Sequence, residues 1–567
     1  MYTNRLFGKT TAALLCVCIS ILISCNGKGQ PGNGNIADNP KELQQKAPAI
    51  IHELVDKATT GNGFLGDSSL YLQQLRITGI LYSEKEYAPF WSFEEHWLPA
   101  GDSLFRILEK AQLYGLFPED YHFTVLNEMY TKFAADSSGK AERKDALLWS
   151  KADILLTNAF LQLLKDIKLG RLPQDSVTLR KDSALGDDFY KQQFASLQQG
   201  QPLTKILTAL EPAHRGYQLL KEGIPAFLAK ADYRTFTRVT SKDAAGYNSA
   251  LQKRLFEGGY IGYSPDSLRA DSAQLAQAIK KFQKEKGITV DGKAGEATLR
   301  ILNTSDREKF IRIAISMDRY KLLPEKMPSK YIWVNTSSNN LEVIDNNEVK
   351  LSSKVICGKA KTRTPLLTSY INSIITYPQW VPPPSIVSKE ILPAVKKNPG
   401  YLARKGFSLV NSQGEEVDPY SVDWSKYSKG IPYRIVQGSG DANALGVIKF
   451  VFDNKYSVYL HDTNQRYLFA NAMRSLSHGC VRVQSWQDLA WYILRNDSLN
   501  MKGGNYTRTD SVKTWLAKKE KRNITIRNKM PVFIRYFTCE GKNNGIIFYD
   551  DVYAEDKFLR EKYFATK

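Results

Sequence analysis

Cysteine is scarce in this chain. Six occur in 567 residues, and none forms a C-x-x-C pair, which excludes a disulfide-stapled scaffold and a zinc ribbon. Histidine is as rare, also six. His52-Glu53 opens like the zinc-binding H-E-x-x-H, but Asp56 stands where the second histidine belongs. No K-T-G or S-D-N triplet is present, so the serine penicillin-recognising enzymes are excluded. Lys and Arg outnumber Asp and Glu by 78 to 58, a net charge of +20. The excess is spread along the chain without an RNP, zinc-finger or basic-arm motif, which argues against nucleic acid as a partner. Beyond the first two dozen residues no run approaches ~18 apolar residues, the length a membrane span needs.

At about 150 residues per domain the chain has room for three to four domains. Its start reads as an export signal (1–24). Arg5 and Lys9 precede the apolar stretch Ala12–Ser24, too short to span a bilayer comfortably. Leu22-Ile23-Ser24-Cys25 is similar to a bacterial lipobox, in which Cys25 is lipidated. An ordinary signal peptide or a signal anchor is the alternative, and the Gly- and Asn-rich stretch after Cys25 favours the lipoprotein reading. Residues 25–45 are read as a flexible tether. The expected product is an exported, periplasmic lipoprotein tied to a bacterial membrane by acyl chains.

Helical spacing dominates from 46 to 243, as in Leu104, Leu108 and Ala111, or Leu155, Leu156, Ala159 and Leu163. A smaller unit spans 244–305. There Leu275, Ile279 and Phe282 share a helix face before the turn-rich Lys286–Gly292, and Thr298, Leu299 and Leu302 form a second short helix. From about 328 to 540 the pattern turns to short strands: Tyr331–Asn335, Asn340–Asp345, Val447–Phe452, Tyr456–Leu460 and Val532–Tyr536. This β-rich domain is interrupted by an insertion at about 382–437, and residues 541–567 form an extension. The fold class is multidomain α+β.

Two of the six histidines and one cysteine fall within a short stretch, with His461, His478 and Cys480 in order. A free thiol ionises near pH 8.5, so a nucleophilic Cys480 needs a neighbouring base or cation. Gly479 allows close backbone approach to a substrate, and the amides of Gly479 and Cys480 are candidate oxyanion donors. Arg482 would share the thiol's side of an extended segment. A zinc site on His461, His478 and Cys480 is chemically conceivable but lacks a fourth ligand.

Ser477-His478-Gly479-Cys480-Val481-Arg482, with a His-ending strand upstream, resembles the signature of the L,D-transpeptidase (YkuD-type) catalytic domain. AIKKFQKEKGITVDGKAGEATLRILN (Ala278–Asn303) closely resembles a peptidoglycan-binding helical module. The chain as a whole resembles the large YcbB-like branch of L,D-transpeptidases, through Ala111–Leu116 with Tyr121, Asp166–Arg171, Met317–Tyr320 leading to Leu323-Pro324, Thr364-Pro365, Trp380–Pro383, Lys396–Arg404, and Asn443–Gly446 with Lys449-Phe450. Gln437-Gly438-Ser439-Gly440 departs from that branch's Q-x-P-G. The resemblance implies a helical scaffold domain, a wall-binding module, and a catalytic domain whose insertion caps the cleft. It implies Cys480 as nucleophile and His461 as proton donor and acceptor. His478 is auxiliary, although spacing alone leaves it as a second candidate base. Tyr459 and Trp380 are either substrate contacts or core, and Arg474 and Arg482 either meet substrate carboxylates or are structural. Ser477 is a further candidate contact. The implied partners are peptidoglycan stem peptides and glycan, gripped in part by the module around Phe282 and Asp291. No cofactor or metal is implied. Carbapenems are expected to acylate Cys480. A wall-tethering lipoprotein without activity is the alternative, and the intact Cys480, His461 and Gly479 argue against it.

Overall fold

The computed structural model describes residues 35–66, 68–138, 143–240, 246–262, 271–499 and 506–567. The signal segment and Cys25 lie outside them. Among the described residues no helix is long and apolar enough to cross a membrane.

Folded structure begins inside the stretch expected to be a tether. Ile36–Ala37 pairs with Lys144–Asp145, and helix α1 spans Pro40–Thr60. Asn39 caps it by accepting the Glu42 N–H at 3.0 Å, and Pro40 supplies a first helical residue that needs no N–H partner. Helix α2 (Ala146–Lys168) is apolar on nearly every side and runs through the centre of the scaffold core. Its buried Asp153 accepts the Tyr82 hydroxyl at 2.6 Å and the N–H groups of Phe90 and Trp91, both at 2.9 Å. Helix α3 (Arg215–Leu228) follows, capped by His214, whose Nδ1 accepts the Gly216 N–H at 3.0 Å.

In the small module, helix α4 (Ser272–Glu285) packs Ala278, Ile279 and Phe282 against Leu251, Leu255 and Leu302. Buried Gln283 ties the turn together, donating to Asp291 (2.8 Å) and Thr298 (3.0 Å) and accepting the Gly292 N–H (2.9 Å). Phe282 and Asp291 thus hold the module's own structure together. Helix α5 (Asp306–Lys321) joins the domains. Its Asp318 accepts the Arg171 N–H at 2.8 Å and pairs with Lys321 at 2.9 Å.

The C-terminal half is built on β1 (Lys330–Asn335), β2 (Asn340–Asp345), β3 (Glu348–Gly358), β4 (Leu367–Thr376), β5 (Ile448–Phe452), β6 (Leu460–His461), β7 (Ser475–Ser477), β8 (Val481–Val483) and β9 (Arg522–Arg535). Pairing runs β3-β8-β6-β5-β4-β9-β1-β2 and returns from β2 to β3, closing a ring, with β7 added alongside the end of β3. The ring is filled by Val, Ile, Leu and Phe side chains from alternate strand positions. Helix α6 (Trp486–Leu499) contributes Leu489, Ala490, Ile493 and Leu494 to the same core.

The strand expected at Tyr456–Leu460 is reduced to Leu460–His461. Asn454 Oδ1 accepts the N–H groups of Tyr456 and Val458, both at 3.0 Å, and turns the chain with Ser457 at a φ of 55°. The insertion has its own core of Ile391, Leu392, Val395, Leu402, Leu409, Trp424 and Ile435. Its neck is the mutual backbone pair of Trp380 and Gln437, at 3.1 and 2.7 Å. At the sequence departure, Ser439 Oγ donates to the Tyr377 carbonyl at 2.7 Å, which ties this return strand to the ring.

Candidate active site

Three short strands carry the chemistry. Lys449 on β5 lies opposite His461 on β6, and parallel pairing of β6 with β8 sets Leu460 against Val481 and His461 against Arg482. Leu460 and Val481 point into the ring core. By strand alternation Tyr459, His461, Cys480, Arg482 and Lys449 share the opposite face. The Val481 N–H donates to the Tyr459 carbonyl at 3.1 Å, extending the pairing so that Cys480 lies beside Tyr459. The register thus gathers four residues expected from the sequence. It adds Lys449, whose ammonium sits 3.8 Å from the centre of the Tyr459 ring. The edge of that ring meets the His461 imidazole at a centroid separation of 5.6 Å. A lysine alternating with Ile448, Phe450 and Phe452 was the available signal for it.

His461 is only 4% exposed. Its Nδ1 contacts the Asp462 carbonyl, and only a donor can face a carbonyl oxygen, so in the neutral ring Nδ1 carries the proton; the ring also meets the Leu445 backbone. Asp462 is itself fixed. Its buried carboxylate accepts from Arg466 at 2.6 Å and from the Val447 N–H at 3.1 Å. Burial, with Arg482 and Lys449 nearby, pushes the imidazole down to about 3, so the resting ring is neutral.

Burial pushes the Cys480 thiol up. The Tyr459 N–H and hydroxyl, Lys449 and Arg482 pull the other way, each favouring thiolate. The side chain is half-buried, and Sγ lies 3.9 Å from the Ser457 carbonyl. Cys357 and Cys539 are free thiols too, but both are fully enclosed and pushed up to about 12.

The loop into Cys480 is set by backbone geometry. Gly479 has a φ of 126°, a conformation side chains rarely allow. Ser477 Oγ accepts the Gly479 N–H at 3.1 Å and donates to the Cys480 carbonyl at 2.6 Å. Two expectations change here. The Gly479 amide is occupied by Ser477 and is not an open oxyanion donor. Ser477, 3% exposed, shapes the loop and has no face for substrate. For Arg474 the structural alternative is the one these contacts favour, because its guanidinium donates to the carbonyls of Val355 (3.2 Å), Asn471 (3.0 Å) and Asn339 (3.1 Å). Arg482 stays on the site face and donates to Gln465 at 2.9 Å. His478 turns to the insertion, with Nε2 2.5 Å from Glu390 Oε1. Trp380 packs on Phe407 at the neck, and its side chain also meets the Tyr459 hydroxyl.

Residues 329–496 match the family model of the L,D-transpeptidase catalytic domain (YkuD), 78–224 that of a scaffold domain, and 249–302 that of a "putative peptidoglycan binding domain". A "Putative L,D-transpeptidase" of Haemophilus influenzae is 34% identical over 246 residues, covering 43% of this chain and 48% of that protein. The chain thus spans about half the length of the curated relative it matches. Among solved structures, an L,D-transpeptidase of Stackebrandtia nassauensis aligns over 54% of this chain and 96% of its own at 15% identity, with a TM-score of 0.16. A Xylanimonas cellulosilytica L,D-transpeptidase aligns over 54% and 98% at 14% identity, with a TM-score of 0.14. With Cys480 and His461 both inside the matched span, the chain carries, in order, a scaffold domain, a peptidoglycan-binding module and a catalytic domain of the L,D-transpeptidase family.

Proposed function

We propose that the protein is a peptidoglycan L,D-transpeptidase working through a thioester on Cys480. The observation that carries the reading is the strand register that puts Cys480, His461, Tyr459, Lys449 and Arg482 on one face. Sγ attacks the carbonyl of an L-centre in a stem tetrapeptide. The thiol proton passes to His461 Nε2 and then to the departing amine, so the peptide bond breaks, a thioester forms and D-alanine leaves. A diaminopimelate side-chain amine on a second stem then attacks the thioester, restoring the thiol and leaving a cross-link. A trans peptide places N–H opposite C=O, so the Cys480 N–H faces away from the anchored Gly479 carbonyl and serves as the oxyanion donor. The insertion, by covering the cleft, favours amine over water as acceptor.

Incubation with disaccharide-tetrapeptide, read by mass spectrometry, tests this. Cross-linked dimer and free D-alanine are expected. Their absence, together with the absence of any acyl adduct, would leave the wall-tethering reading in its place. We also infer that Cys25 is lipidated after cleavage of the signal segment, which holds the catalytic body in the periplasm beside its substrate. Cys25→Ala should abolish incorporation of a palmitate analogue, and an unlabelled wild type would refute the anchor.

A further inference from the structure

The residue that props the nucleophile's loop comes from outside the matched catalytic span. Gly479 offers its carbonyl to Thr364 Oγ1 at 2.8 Å, and Thr364 Oγ1 in turn accepts the Gly358 N–H at 2.9 Å. One loop, 358–364, holds the Ser477 carbonyl as well, through the Lys359 N–H and Thr362 Oγ1, both at 3.0 Å. That loop is closed from behind by one hydroxyl. Tyr553 OH donates to the Gly358 carbonyl at 2.8 Å and accepts the Thr364 N–H at 3.2 Å. Tyr553 is 1% exposed and stacks on Tyr536 at 5.2 Å with 16° between the rings. Its N–H donates to the Tyr536 hydroxyl at 3.1 Å, and that hydroxyl donates to Asp551 at 2.7 Å.

We infer that Tyr553 and Thr364 are positioning residues for the reaction, a strut that fixes the Gly479–Cys480 peptide plane and so aims the Cys480 N–H at the oxyanion. The physical reason is planarity. Anchoring the Gly479 carbonyl on one side sets the direction of the Cys480 N–H on the other, and a donor helps only if it is already aligned when charge develops. The extension 541–567 is thereby part of the working site. The inference rests on the transpeptidase reading, so its test carries one readout that needs no activity.

The full-length protein is compared with Tyr553→Phe, Thr364→Val and Thr364→Ser. In stem-tetrapeptide turnover, Tyr553→Phe should lower kcat about tenfold and Thr364→Val by at least as much, with KM within about twofold. Thr364→Ser, which keeps the hydroxyl, should restore the wild-type rate. Amide hydrogen exchange across 475–483 should quicken in Tyr553→Phe and Thr364→Val and remain wild-type in Thr364→Ser. Wild-type exchange in the first two variants, or faster exchange with undiminished kcat, overturns the strut. A wild type that forms no thioester refutes the transpeptidase reading, while the exchange pattern still judges whether the strut exists.

Discussion

Glu390 of the insertion meets His478, two residues before the nucleophile, with its carboxylate oxygen 2.5 Å from Nε2. This contact joins the insertion to the catalytic loop directly. Both side chains are partly exposed, so the pair contributes little to stability, about 0.2–1 kcal/mol. Glu390→Ala should therefore leave Tm within about 2 °C of wild type. It should nevertheless raise the fraction of thioester lost to water severalfold, measured as released tripeptide against cross-linked dimer. An unchanged partition would show that the contact does not close the cleft.

Nucleophile assignment can be read from intact mass. A carbapenem should add to wild type, Cys357→Ala and Cys539→Ala, but not to Cys480→Ala. The first two thiols are enclosed and held up to about 12, so neither yields appreciable thiolate near neutrality. An adduct persisting in Cys480→Ala would move the nucleophile elsewhere.

Lys449 tunes the thiol. Its positive charge lowers the Cys480 pKa, so Lys449→Met should raise it and carry the pH profile of iodoacetamide alkylation to higher pH. A profile that stays in place would show that Arg482 and Tyr459 suffice.

His214 makes a pH prediction at the interface of scaffold and catalytic domain. It packs against Tyr320 and Trp333, and burial, with Arg215 and Arg535 nearby, depresses it from 6.5 to about 3. A base with a depressed folded pKa binds its proton only when unfolded. Its contribution is therefore complete above pH 6.5 and is lost as pH falls toward about 3. His214→Asn keeps a side-chain acceptor for the Gly216 N–H and does not titrate. Any stability advantage of wild type over this variant should shrink by about 2 kcal/mol between pH 8 and pH 5, from thermal melts at each pH. A constant difference would mean that His214 titrates alike in the folded and unfolded chain.

How much of this was legible beforehand depended on whether a motif was local. His461, Gly479 and Cys480 stand close in sequence, and the strands Asn340–Asp345 and Ile448–Phe452 alternate cleanly enough to be placed nearly to the residue. The long strands β3 and β4 were not marked, because Glu348–Gly358 is polar over its first half and Leu367–Thr376 mixes serines and an asparagine among its isoleucines. Ser477 was misread for a different reason. It is a polar residue beside a nucleophile, and the sequence does not reveal that a backbone carbonyl and amide already occupy it. Glu390 and Tyr553 carry no local signal at all, since their partners lie 88 and 195 residues away.

Closing the strand ring has a consequence for how the chain acquires its structure. β1 and β9 are parallel neighbours, with Ile332 opposite Val532, so the first and last strands of the ring come together across the whole length between them. Such non-local pairing incurs loop-closure entropy before any contact offsets it, which makes folding slow. Until β9 arrives, β1 and β4 both present unpaired edges that invite association with other chains. The insertion, whose core lies wholly within its own sequence, is under no such delay. Refolding from denaturant should therefore be biphasic, with the tryptophan of the insertion, Trp424, reaching its native fluorescence before carbapenem-reactive thiol is recovered.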